Sequence, residues 1–484
     1  MIHTIKQRIL TLLALLLMAA GGLIAQNPTS LYYLENLPQN NFVNAAMMPR
    51  CKAFVGFPFI NSIYTSAHSD LAANDLLQKT NGQWLHPLRQ SFDYNKLYKS
   101  VGSSVSFSSS EYVAPLFFGF RTGKGYVTFA MSEKIGVRGN IATDLFKIAE
   151  NGFPDNSTFD LSSTSVKAMY YREISLGYAR EINNKLTLGV HLKPLFGQGA
   201  IESRMDKLLL KTSKEAYSVD VTGDIYSSLP IDVEEGEDGL PENIEFRDMD
   251  AKEAIDQYGF NFSNPGLAID LGGVYTLNEN WSFSAALNNL GFISWKEDLH
   301  SISFNGKYSF DGPDLTVYNR DSIGDIMESV LDSMKNAISS NTAHKSFTST
   351  LAPALYLGSS YSVNHVLGLG FLSRSTFEKH NFRQEFSLSA NLNLYHCLTT
   401  HVNYNVEING GNNIGMGLAL RAGPVQFYFL ADHIPLKYNI IDDNGSQIPV
   451  PMSMENASFM LGINFVFGAN GYKNKPMLNT NSRF

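Results

Sequence analysis

The chain is poor in charge and nearly empty of cysteine. Charged residues make up 17% of its 484 positions, against roughly a quarter in an ordinary soluble domain. The 37 basic and 45 acidic residues leave a net charge of -8, so there is no excess of positive charge of the kind nucleic acid demands. Two cysteines, Cys51 and Cys397, stand in no CxxC or Cys/His cluster. That excludes a disulfide scaffold and a zinc site, and leaves one bridge between them open. The chain lacks a Gly-x-Ser-x-Gly elbow, a phosphate-binding glycine loop and a His-Glu-x-x-His pair, so no catalytic residue, cofactor or resident metal is assigned. Beyond Gln26 no apolar run reaches 18 residues, which excludes membrane-spanning helices.

What is present is aromatic and periodic. Aromatic residues reach 12%, and glycine occurs 38 times. At the N-terminus, Lys6 and Arg8 precede an apolar run from Ile9 to Ala20, followed by Gly21, Gly22 and Ala25. This order reads as an export signal over residues 1–25. The mature chain divides into an N-terminal segment, 26–50, that could plug a lumen, an even β region, 51–467, and a tail, 468–484.

Apolar and polar residues alternate through segment after segment. Leu186, Leu188, Val190 and Leu192 oppose Thr187, Gly189, His191 and Lys193; Phe386, Leu388, Ala390 and Leu392 oppose Glu385, Ser387, Ser389 and Asn391. Asn183-Asn184, Asn278-Glu279-Asn280 and Gly423-Pro424 mark tight turns between such runs, as in antiparallel hairpins. Two architectures give each strand one apolar face: a soluble sandwich and a transmembrane barrel. Strands of a bilayer-crossing length, girdle-like aromatics (Tyr178, Tyr275, Trp281, Trp295, Tyr395, Phe467) and a final strand, Met460 to Phe467, with spaced aromatics favour the barrel. The fold class is therefore all-β, an antiparallel barrel of about 14 strands with small helical insertions in loops. Its first strands are placed at 101–109 and 113–121, with 53–59, 196–205, 217–226 and 301–310 as extensions or excursions.

The barrel reading makes Glu173, His191, Lys193, Asp270, Asn391, Asn403, Glu407 and Arg421 candidates for a lumen-facing solute path, or for ion pairs that only brace the wall. Eleven acidic residues between Asp232 and Asp256 face only Arg247 and Lys252. Within them Asp232, Glu234, Glu235, Glu237 and Asp238 are a weak calcium candidate, since hard cations want clustered carboxylates, but the spacing matches no EF-hand loop. Helical spacing predicts a short helix over 70–79 and an amphipathic one over 322–338.

The run Asn264 to Tyr275 with Asn288-Asn289-Leu290-Gly291 resembles a strand pair of the FadL-like outer-membrane barrels, a superfamily that includes the PorV-type proteins of Bacteroidota. Asn44 to Pro49, Val55 to Pro58, and Gly415 to Asp432 resemble a Bacteroidota family of unknown function within that group. The resemblance implies an outer-membrane location and lipid contact. It implies no ligand; the chain is read either as a channel for small or hydrophobic molecules or as a non-catalytic accessory subunit with a secretion or surface-assembly partner. A secreted sandwich that binds a partner is the remaining alternative.

Overall fold

A computed structural model describes residues 28–468, except 72, 81–82, 86–91, 214–215, 236–240, 248–260, 311–340, 379–380, 395–396, 409–410, 435–437, 444–445 and 452–455. The export signal, the tail beyond Gly468, Tyr395 and the helix expected over 322–338 lie outside the described residues.

Fourteen antiparallel strands close into a barrel. β1 comes in two pieces, Ala53–Gly56 and Ile63–Ser69. The others are β2 (Ser104–Thr122), β3 (Gly125–Ala142), β4 (Ser165–Glu181), β5 (Leu186–Thr212), β6 (Pro265–Thr276), β7 (Trp281–Trp295), β8 (Ala354–Ser362), β9 (Leu367–Glu378), β10 (Asn381–Leu394), β11 (Leu398–Glu407), β12 (Asn412–Ala422), β13 (Val425–Ile434) and β14 (Asn456–Phe467). Each pairs with its neighbours in sequence. The ring shuts where β1 meets β14, with Val55 opposite Phe465 and Ile63 opposite Leu461. A closed ring leaves no unpaired edge and excludes the two-sheet sandwich.

At one end the connections are two to four residues long. Three of them use the same device: the Oδ1 of Asn183, Asn278 or Asn364 accepts two backbone N–H groups two and three residues on, at 2.8–3.0 Å. Two others turn on Gly123 and Gly423, whose positive φ values of 57° and 61° suit residues without a Cβ. The opposite end carries the long connections. Short turns at one end and long loops at the other are the pattern of outer-membrane barrels.

Alternation sets the two faces. Leu188, Leu392 and Leu418 point outward at 46%, 36% and 41% exposure, and Ile269 is half-exposed. Tyr178, Tyr275, Trp281 and Phe467 are exposed at the short-turn end, as a girdle requires. Trp295 is not in the girdle: it is fully buried against Phe347, in a cluster with Leu195 and Ile293.

The strand boundaries differ from the sequence expectation where the alternation slips. The stretches 101–109 and 113–121 are one strand, β2, with an irregularity between Val113 and Leu116 that contains Pro115. Proline has no N–H for the ladder, so it sits at the bulge. The stretch near 53–59 opens the first wall strand. That strand breaks over residues 57–62, at the level of the β2 irregularity: Phe59 N–H donates to Pro115 O at 3.2 Å and Ala114 N–H to Ser62 O at 3.0 Å. The 196–205 excursion is the upper half of the 27-residue β5. It rises past the apolar band and pairs with Tyr217–Ser228, which pairs in turn with Leu299–Phe310. The helix Thr143–Asn151 adds Ile148 to an apolar cluster there with Phe153, Leu210, Val219 and Val221. The helix expected over 70–79 is reduced to Ala73–Leu76.

Candidate functional site in the barrel lumen

The lumen is occupied by the chain's own N-terminal segment. Two 3-10 turns, Thr29–Leu31 and Pro38–Phe42, lie inside the ring, and Tyr32, Leu34, Leu37, Val43 and Ala46 are completely buried. A proline at the start of the second turn presets its φ. The segment is tied to walls on every side. Thr29 Oγ1 donates to Glu385 Oε1 at 3.0 Å, and Ser30 N–H to Asp432 Oδ2 at 3.0 Å. Tyr32 OH donates to Ser284 Oγ at 3.0 Å, and Asn36 Nδ2 to Thr399 Oγ1 at 2.8 Å. Gln39 and Asn464 exchange two amide hydrogen bonds at 2.8 and 2.9 Å, and Asn288 Nδ2 donates to Val43 O at 2.9 Å. An ion pair between Arg50 and Glu35 braces the segment against itself.

Two wall glycines permit the approach. A Cβ on Gly189 would lie 2.1 Å from Ala45 O, and one on Gly272 would lie 2.2 Å from Asn44 Oδ1. These are contacts that real Cβ atoms do not make, so glycine is required at both positions.

Four of the eight candidate residues converge. Asp270, fully buried on β6, gathers three donors: Lys193 Nζ at 2.5 Å, His191 Nδ1 at 3.0 Å and the Asn289 N–H at 2.8 Å. The last bond pins a bulge between β6 and β7, where Asn289 takes a positive φ of 59°. Glu173 on β4 is bracketed by Lys134 at 2.7 Å and Lys193 at 3.7 Å. His191 Nε2 reaches Asn41 Oδ1 of the N-terminal segment at 2.9 Å. Asp270, Glu173, Lys134, Lys193, His191, Asn288, Phe42, Tyr112 and Tyr356 line a cavity of about 20 Å³, enough for about one water. The Asn288 Oδ1 on its wall is buried and accepts no hydrogen bond.

The other four candidates lie elsewhere. Asn391 and Asn403 belong to an amide and hydroxyl ladder on β10–β12. There Asn403 Nδ2 donates to Asn405 Oδ1 at 3.0 Å, Asn405 Nδ2 to Asn413 Oδ1 at 2.8 Å, and Asn391 meets His401. Glu407 is half-buried toward the long-loop end, accepting from Asn456 Nδ2 at 2.6 Å. Arg421 sits at the short-turn rim and donates to the carbonyls of Gly423 at 3.0 Å and Val466 at 3.1 Å. It caps backbone and does not enter the charged group.

The acidic stretch forms no cation cage among the described residues. Asp232, Glu234 and Glu235 lie on the strand Ile231–Glu235, paired with Pro241–Phe246, and Asp232 is exposed 3.6 Å from Arg247. Glu237 and Asp238 are outside the described residues. Among those described, no group of three His, Cys, Asp or Glu side chains is disposed to hold a metal. Cys51 is buried against the Tyr126 hydroxyl at 3.3 Å and Cys397 is exposed, both as free thiols; the two do not form a bridge.

Sequence reasoning missed Lys134 and Asn41. Lys134 shares the inward parity of Thr128, Ala130 and Ser132 on β3, all buried, and that parity marks it. Asn41 carries no periodic signal, because its wall partners, Thr128 and His191, are 87 and 150 residues away.

A family model described as "Family of unknown function (DUF5723)" matches residues 46–432. The chain belongs to that family. No curated protein matches it. Among solved structures it is similar to the toluene transporter TbuX of Ralstonia pickettii (8% identity, 92% of this chain and 95% of that one, TM-score 0.42). It is similar also to a FadL homologue of Pseudomonas aeruginosa (9%, 92% and 100%, 0.42) and to the toluene transporter TodX of Pseudomonas putida (8%, 92% and 96%, 0.39).

Proposed function

We propose that this DUF5723 protein is an outer-membrane barrel, exported and then inserted, that passes small molecules when its N-terminal segment withdraws from the lumen. The observation that carries the reading is the segment itself. It fills the ring, yet is held by side-chain hydrogen bonds, glycine-permitted contacts and apolar packing against the inner wall rather than by a strand of its own. The hydrogen bonds are individually worth about 1 kcal/mol and each buried apolar side chain about 1.5–3 kcal/mol, but none of these contacts belongs to the strand ladder, so the segment can leave without opening the wall.

The lining supports cargo that carries hydrogen-bonding groups. Ser282, Ser284, Ser387, Ser389, Asn391, Thr399, Asn403, Asn405, Gln426 and Asn464 face inward and are buried. With the segment gone these groups would be wet, and they suit solutes that hydrogen-bond. Beside them the inner wall carries a buried apolar cluster with Tyr112, Val274, Tyr356, Leu372, Leu430 and Met460, which offers the apolar cargo expected from the FadL-like resemblance a surface as well.

Planar-bilayer recording tests the channel. The wild type is expected to insert and stay closed, and the Gly189→Val/Gly272→Val variant to insert and conduct in discrete steps. A variant that inserts and stays silent contradicts a channel closed by this segment.

A second reading, an accessory subunit of a surface-assembly machine, is favoured by one observation. The β5 extension carries the barrel sheet on into an apolar-cored excursion at the long-loop end. Co-purification of a large partner from native membrane, lost when residues 217–228 and 299–310 are replaced by a short turn, would support it.

A further inference from the structure

Gly189 and Gly272 admit the backbone of the N-terminal segment; two other wall glycines admit its side chains. Gly358 on β8 and Gly370 on β9 lie on one paired ladder, where Gly358 faces Leu372 and Gly370 faces Ser360. A Cβ on Gly370 would lie 2.7 Å from the Tyr33 ring. One on Gly358 would lie 2.9 Å from the Tyr32 ring and 3.0 Å from the Tyr33 hydroxyl. Glycine inside a strand costs stability and marks a close approach. Here two flat rings approach, both buried, meeting edge to face with centroids 5.2 Å apart.

Each seat reads more than shape. Tyr33 OH donates to Ser359 O at 2.9 Å and also reaches Phe371 O, the carbonyls of two facing residues that each adjoin one of the glycines. Tyr32 OH donates to Ser284 Oγ at 3.0 Å, and its ring stacks on that of Tyr356, with centroids 5.8 Å apart and planes 16° from parallel. The acceptors, the glycines and Tyr356 all stand on the paired strands β7, β8 and β9, so they remain in the wall when the segment leaves. A vacated seat is then an apolar slot with a hydroxyl acceptor at its floor, and a ring that carries a hydroxyl restores both the burial and the hydrogen bond. We propose that these seats are the wall's binding site for a small solute bearing a phenol ring, which occupies them in place of Tyr32 and Tyr33. The inference rests on the proposed withdrawal of the segment for access, and a solute that binds only the withdrawn state also holds it.

Two full-length variants, crystallised from detergent and soaked in 4-iodophenol, test it by anomalous diffraction from iodine. Tyr33→Gly empties one seat with the rest of the segment in place, and a buried apolar cavity of ring size takes up a matching ring. With the hydroxyl fixed at the wall, the iodine para to it should appear where the Tyr33 Cβ stood. Gly189→Val/Gly272→Val unseats the segment, and its map should show iodine at the former Cβ position of Tyr32 or Tyr33. Absence of the peak from Tyr33→Gly, or a peak at the Ser359 end of the seat, overturns the proposal. If Tyr33→Gly fails to fold, Tyr32→Gly takes its place, with the peak expected at the Tyr32 Cβ position and its absence equally decisive. A segment still seated in Gly189→Val/Gly272→Val, beside an iodine peak in the emptied seat, counts against passage and not against the seat.

Discussion

Replacing Gly189 or Gly272 by alanine asks directly whether the N-terminal segment is seated in the lumen. In a β-strand with free space beside it, alanine for glycine should stabilise by roughly 0.5–1 kcal/mol, because glycine loses more backbone freedom on folding. Here the new Cβ would lie 2.1 Å from Ala45 O at one site and 2.2 Å from Asn44 Oδ1 at the other, against the 3.4 Å at which ordinary contact begins. The 44–46 turn must then retreat by about 1 Å, with overpacking costs of about 1–3 kcal/mol. The two substitutions push the same turn, so the double variant should cost less than the sum of the singles. Gly273 is the control on the same strand: its Cβ would meet only Leu188 Cδ2, at 3.6 Å, and Gly273→Ala should be neutral or slightly stabilising. Reversible urea unfolding of the folded barrel in detergent, read by intrinsic fluorescence, gives all four values. Stabilisation by both Gly189→Ala and Gly272→Ala would refute the placement of the segment.

Three further outcomes are expected. Asp270→Ala should destabilise by about 3–5 kcal/mol, because it strands a buried ammonium and frees the Asn289 bulge; a loss below about 1 kcal/mol in the same unfolding assay contradicts its place as a hub. Leu418→Arg, on the outer face, should cost about 2–4 kcal/mol in lipid vesicles and much less in a soluble setting; an equal, small effect in both would deny it lipid contact. Maleimide should modify Cys397 alone in the folded protein and both thiols after unfolding, since Cys51 is 1% exposed; mass spectrometry showing two additions to folded protein would contradict the burial of Cys51.

Most of the wall was legible because alternation at period 2 is imposed strand by strand. It ceased to be legible where parity slips. In β2, Glu111 faces out and Tyr112 in; beyond Pro115, Leu116 faces out and Phe117 in. A reader following one parity sees two strands. In β1 the residues 57–62, with Phe59 at a φ of 62°, interrupt the pattern and hide a wall strand. Trp295 looked like a girdle residue because it ends a strand, but β7 continues above the apolar band into a packed cluster that owes its existence to Phe347, more than 50 residues away.

The site was half legible for the same reason. Glu173, His191, Lys193 and Asp270 follow from parity, and strand adjacency brings them together: Asp270 lies directly opposite His191 across β5 and β6. Asn391 and Asn403 also follow from parity, but they lie among the amides of β10–β12, in the ladder that ends at Asn413. The contribution of Asn41 could not be read, since an irregular segment threaded through a ring leaves no periodic trace.

The measurement that bears most directly on the central claim is the depth and polarity of spin labels placed on each face in lipid vesicles. Labels at Leu188, Leu392 and Leu418 are expected to collide freely with oxygen and hardly at all with a polar nickel reagent, while a label at Glu111, outward but polar, should meet the nickel reagent readily. Free nickel access at all three leucine positions would show that water, not lipid, surrounds the barrel.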